Sequence, residues 1–121
     1  MSDTTFHLVP AEYYRDADRD SPYVPAGFDA EGFIHCTDGA DNVAAVGNRY
    51  YRDDRRMYVV LVIDKMKLRS KVVYEDAAGI YPHIYGPLNR DAIVDILPVL
   101  RTADGSFLPP GPREPQRGTA P

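Results

Sequence analysis

The sequence predicts a single α+β domain built on a mixed sheet of five or six strands with two or three short helices. Three observations lead there. At 121 residues the chain is about one average domain long. Short β-prone runs recur along it between turn residues, and the stretches around them carry helical signals. Hydrophobic residues make up 44% and charged residues 26%, an ordinary globular balance. With nine Tyr, four Phe and no Trp, the core is expected to be aliphatic and tyrosine-rich.

Thr5 to Val9 reads as the first strand. Pro10 then opens a helix to about Ala17, since a proline at the first helical position loses no hydrogen bond, and Tyr13, Tyr14 and Ala17 form its buried side. From Asp18 to Glu31, Pro22, Pro25 and Gly27 stand among acids, the pattern of a surface loop anchored by Tyr23 and Phe28. Gly32 to Thr37 is apolar and β-prone, and Thr37-Asp38 is expected to cap a following helix with help from Asp41. In that helix Val43, Val46, Gly47 and Tyr50 recur on one stripe, with Gly47 implying close packing against a strand.

Asp53 to Arg56 is a mixed-charge turn. Met57 to Ile63 is continuously apolar and β-branched, as suits a central strand covered on both faces. Lys71 to Glu75 and Tyr81 to Tyr85 give two more strands around Ala78-Gly79, and Ala92 to Val99 gives the last, with Pro98 at an edge or bulge. Beyond Arg101 the composition changes. Five of the eleven prolines and three of the nine glycines crowd into residues 102–121, so a domain of residues 1–101 is expected to end in a disordered tail that contacts the core little.

The composition also excludes partners. A net charge of −4 supplies no positive field for nucleic acid or an anionic membrane, and Arg49, Arg52, Arg55 and Arg56 are diluted by Asp53 and Asp54. No apolar run reaches bilayer length and Met1 to Pro10 does not read as a secretory signal, so cytoplasmic residence is expected. Cys36 stands alone, which precludes an internal disulfide and suits a reduced compartment.

The concentrated chemistry lies in His7, His35 and His83, each inside a predicted strand. Strand alternation puts Thr5, His7 and Val9 on one face, Phe33, His35 and Thr37 on one, and Tyr81, His83 and Tyr85 on one, while Ile34, Cys36 and Ile84 point the other way. If the three strands are neighbours, the imidazoles line one cleft rimmed by Tyr81 and Tyr85 and closed by the Tyr23 to Phe28 loop. Adjacent His35 and Cys36 face apart and cannot pair as base and nucleophile, so Cys36 is expected to be a buried small hydrophobe. The residues alone leave several readings of the cleft open: a catalytic site, a non-catalytic site for a small polar ligand, or a zinc site of three imidazoles with an open fourth position.

Three blocks carry a family resemblance: Phe6-His7-Leu8-Val9-Pro10, Glu31-Gly32-Phe33-Ile34-His35-Cys36-Thr37 and Pro82-His83-Ile84-Tyr85-Gly86-Pro87-Leu88. From about Thr5 to Leu100 the chain resembles domain-of-unknown-function family 952. More distantly, His7, the Ile34 to Thr37 block and Val46-Gly47-Asn48-Arg49 are similar to ADP-ribosyltransferases, in particular RNA 2′-phosphotransferases.

That similarity implies an ADP-ribosyltransferase-like fold, a small-molecule nucleotide as partner, NAD as cofactor and ribosyl transfer as the chemistry. It implies that His7 holds the nicotinamide ribose, that His35 and Thr37 line the second strand of the site, and that Tyr81 or Tyr85 stacks on the nicotinamide ring. A carboxylate is wanted near the ribose carbon, where positive charge builds, and Glu75 is the nearest candidate. The expected catalytic set is therefore His7, His35, His83 and Glu75, and the nucleotide-binding set His7, His35, Thr37, Tyr81 and Tyr85.

Overall fold

A computed structural model describes residues 3–110. Its elements are β1 (Thr4–Pro10), α1 (Ala11–Asp16), α2 (Phe28–Glu31), β2 (Ile34–His35), α3 (Ala40–Tyr50), β3 (Tyr58–Asp64), β4 (Lys71–Tyr74), β5 (Pro82–Tyr85) and β6 (Ile93–Pro98). Six strands and three helices give the mixed helix and strand content that the sequence predicts. The strands do not form one mixed sheet. They form two antiparallel sheets of three, ordered β1-β3-β6 and β2-β5-β4. The sheets meet where Phe6 and Thr37 exchange backbone hydrogen bonds of 2.9 and 2.8 Å.

β3 is the central strand of the first sheet, and its unbroken apolar run follows from having both faces covered. Val60, with Phe6, Leu8, Val62 and Leu97, packs against Val43 of α3. Leu61 and Ile63, with Val9, pack on the other side against Ile34 and Ile84 from the second sheet, Cys36 just after β2, and Tyr23, Leu88 and Ala92. Burying such side chains stabilises the fold by roughly 1.5–3 kcal/mol each.

Several expectations are corrected. The strand over residues 32–37 is shortened to Ile34–His35 plus the isolated bridge at Thr37. α3 is preceded by Gly39 at φ 89° and has no side-chain cap, so neither Thr37 nor Asp38 performs that role. Its buried stripe is Val43, Ala44 and Gly47, whereas Tyr50 is exposed.

Gly47 does mark a close approach, but to an aromatic ring and not to a strand. A Cβ there would lie 2.5 Å from Phe107 ring atoms. Phe107 is 3% exposed, and its backbone N–H and C=O pair with the Asn48 side chain. Arg101 places its guanidinium 4.2 Å from the Phe107 ring and donates to the carbonyls of Tyr51, Arg52, Asp54 and Gly105. Gly105 and Phe107 therefore pack at the C-terminal end of α3, against the expectation that residues beyond Arg101 contact the core little. Residues 111–121, the rest of that expectation, lie outside the described residues.

Candidate functional site

The three histidines do not share one face. On β1 the alternation buries Thr5, His7 and Val9 between the sheets, whereas on the second sheet it is Ile34 and Ile84 that turn inward and His35 and His83 that turn out. The expectation of one common face fails because the second sheet packs on the first by its aliphatic side.

His7 is 6% exposed and both its ring nitrogens are engaged. The His35 carbonyl, 2.7 Å from Nδ1, can only accept, so Nδ1 carries the proton. Burial drives the His7 pKa down to about 4, opposed in part by that hydrogen bond. The ring is neutral, Nε2 is an acceptor, and the Tyr23 hydroxyl donates to it at 3.0 Å. Burial in turn pushes the Tyr23 phenol up. His7 thus ties β1 to β2 and to the 18–27 loop, with no nitrogen left to hold a ribose.

A cavity of about 320 Å3 opens where β1 runs on beyond the Phe6–Thr37 bridge. Its walls include His7, Tyr13, Thr37, Tyr51 and Arg56, with Glu31 and His35 together on the second-sheet side and Pro25 to Gly27 from the loop. Glu31, at the end of α2, accepts a 3.1 Å hydrogen bond from His35 Nε2, and the His35 side chain is 59% exposed. A larger depression of about 430 Å3 along β6, beside Tyr14, Arg19 and Arg90, is a shallow groove with none of the histidines in its lining.

A second cluster stands beside the cavity on the outer face of the second sheet. His35 and His83 are cross-strand partners whose rings lie 5.2 Å apart at 84°. His83 stacks on Phe33 at 4.1 Å and 16° and donates from Nδ1 to Glu75 at 2.8 Å. Tyr85, two residues along the same strand, donates to the same Glu75 oxygen. These two donors, Tyr85 first, hold the Glu75 carboxyl below its ordinary pKa.

Residues 8–96 match the family described as a protein of unknown function, DUF952. The chain belongs to the DUF952 family. Among solved structures this DUF952 fold is similar to the X-ray crystal structure of protein CC0527 from Caulobacter crescentus, with TM-score 0.72 and 19% identity over 87% of this chain and 93% of that one. The solution NMR structure of CC0527 gives TM-score 0.67 and 20% identity over 85% and 90%. At such identities the likeness concerns the fold alone. No curated protein matches the sequence. No helix among the described residues is long and apolar enough to cross a membrane.

In this DUF952 domain the expected residues therefore divide. His7, His35 and Thr37 line the cavity, while His83, Glu75 and Tyr85 form the outer cluster and Tyr81 lines neither cavity nor cluster. No group of three or more His, Cys, Asp or Glu side chains among the described residues is arranged to hold a metal ion, so the three-imidazole zinc reading lacks its geometry. Cys36 is buried, with burial pushing its thiol up, as its inward direction requires.

Sequence reasoning missed Glu31, Tyr13, Tyr51 and Arg56 as lining residues. One of them had a signal. Glu31 stands four residues before His35 within the same motif block, and the tight turn at Gly32, with φ 81°, folds the two side chains together.

Proposed function

We propose that the domain binds NAD or a closely related nucleotide in the cavity and transfers its ADP-ribosyl group. One arrangement supports the reading: Glu31, bonded to His35, lines a cavity walled by Tyr13 and Tyr51. Departure of nicotinamide leaves positive charge on the ribose carbon, and a carboxylate on the cavity wall stabilises it. Glu31 takes the role first sought in Glu75, which lies on the other side of His35.

The remaining lining fits the same ligand. Arg56 is the sole cation among the lining residues and a counter-charge for pyrophosphate, although it is already bonded to Asp54 at 2.6 Å. The tyrosine rings offer stacking surface to a planar base. The volume stands at the low end of ligand pockets, roughly 300–1,000 Å3, and takes the nicotinamide riboside half with the rest crossing the rim.

Ligand-observed NMR with NAD, ADP-ribose and nicotinamide, alongside an assay for free nicotinamide, tests the reading. NAD and ADP-ribose should bind, and Glu31→Gln should keep the affinity while losing nicotinamide release. Failure of NAD to bind at millimolar concentration rejects the nucleotide reading. Binding without release makes the domain a non-catalytic nucleotide-binding module.

A further inference from the structure

We infer that the outer cluster is the acceptor side of the same reaction, with His83 as the base that deprotonates an attacking hydroxyl and Glu75 as the residue that positions it. This rests on the NAD reading of the cavity. Four observations place the imidazole. Nδ1 is committed to the ionised Glu75, so in the neutral ring Nε2 is the free base. Among the described residues Nε2 has no hydrogen-bond partner. The ring plane is fixed by the stack on Phe33. Glu75 also accepts a hydrogen bond from Tyr85, which favours the orientation that faces the imidazole. A carboxylate that orients a histidine and stabilises its protonated form is a general device for proton abstraction.

The location agrees with the chemistry. His35 belongs to both sites: it lines the cavity and its ring meets the His83 ring at 5.2 Å. An acceptor resting on the outer face would therefore approach the ribose from beside His35, at one ring's remove from Glu31. Across β4 and β5 Val73 pairs with His83 and Lys71 with Tyr85, and Phe33 lies against the His83 and Tyr85 rings, so partly exposed Val73, Phe33 and Tyr85 surround the imidazole with Lys71 at the edge. The acceptor class that fits is an alcohol carrying an apolar or aromatic group.

In the step itself the acceptor oxygen forms a bond to the ribose C1′ and the bond from C1′ to the nicotinamide nitrogen breaks. Nicotinamide leaves as the neutral base with that electron pair. The hydroxyl proton passes to His83 Nε2, giving an imidazolium paired with Glu75.

The test uses the full chain with NAD and benzyl alcohol, following nicotinamide and benzyl ADP-riboside by mass spectrometry, with NAD affinity measured in parallel. His83→Ala should keep NAD affinity and lose about 10²–10⁴-fold in product formation, the usual contribution of a general base. Added imidazole should restore part of the rate, which a merely structural role would not allow. Glu75→Gln should lower kcat at unchanged KM for NAD, and Glu75→Asp should recover part of the loss. Wild-type rates in His83→Ala, or no rescue by imidazole, overturn the inference and leave the NAD reading standing. NAD binding and nicotinamide release by the wild type without benzyl ADP-riboside also overturn the inference alone, whereas absence of NAD binding or of nicotinamide release sinks both.

Discussion

The Tyr23 hydroxyl donates to His7 Nε2 at 3.0 Å while His7 Nδ1 is bound to the His35 carbonyl, so the imidazole that borders the cavity is a structural joint with no free nitrogen. A buried neutral histidine of this kind gives stability a definite pH dependence. Folded His7 resists protonation down to about pH 4, against 6.5 for the ordinary side chain. Throughout that window the unfolded chain binds the extra proton.

Stability linked to His7 is therefore complete above about pH 6.5 and is lost as the pH falls toward 4. The loss is on the order of 3 kcal/mol. Urea unfolding at pH 7 and pH 4.5 should show it, and His7→Gln should flatten the difference between the two. An unaltered pH dependence in His7→Gln places the acid sensitivity in other groups. Tyr23→Phe should cost about 1–3 kcal/mol at pH 7, because it leaves Nε2 buried without a donor.

The contact between Gly47 and Phe107 supports a second prediction. Alanine in a helix interior ordinarily gains about 0.5–1 kcal/mol over glycine. Here its methyl would meet the Phe107 ring at 2.5 Å. Overpacking costs about 1–3 kcal/mol, so Gly47→Ala should be net destabilising. Phe107→Ala should cost about 3–5 kcal/mol. The double variant should lose less than the sum of the two, because the ring that clashes is gone. Additive losses in thermal unfolding would mean that the ring does not press on α3.

The elements legible in the sequence were those whose signal is local. The β-branched run from Met57 to Ile63 announced a strand covered on both faces, and the alternation around Ile34 and His35 announced which side chain turns inward. What was lost depends on how sheets pack. Alternation fixes the faces of each strand but not which face of one sheet lies on which face of another, so it groups His7 with His35 and His83 although His7 lies between the sheets.

Composition failed at Phe107 for a different reason. Proline and glycine content describes a segment as a whole and does not register one aromatic residue, Phe107, seated against Gly47 with Arg101 across its face. Glu31 was legible as part of a motif but not as a site residue, since its reach to His35 depends on the left-handed turn at Gly32.

Adjacent Ile34 and His35 offer a control that separates fold from site. Ile34 is fully buried against Ile84 in the core between the sheets. Truncating it should cost about 2–5 kcal/mol. The His35 side chain is 59% exposed, and its pairing with Glu31 is a surface interaction worth roughly 0.2–1 kcal/mol. The strong bond at this position, from His7 Nδ1, goes to the His35 backbone carbonyl, which alanine retains. His35→Ala should therefore shift the urea midpoint little, at unchanged slope, while weakening NAD binding. Ile34→Ala should shift the midpoint strongly and leave NAD affinity of the folded fraction unchanged. If His35→Ala proves as destabilising as Ile34→Ala with NAD affinity untouched, His35 is a structural residue and the cavity is not the nucleotide site.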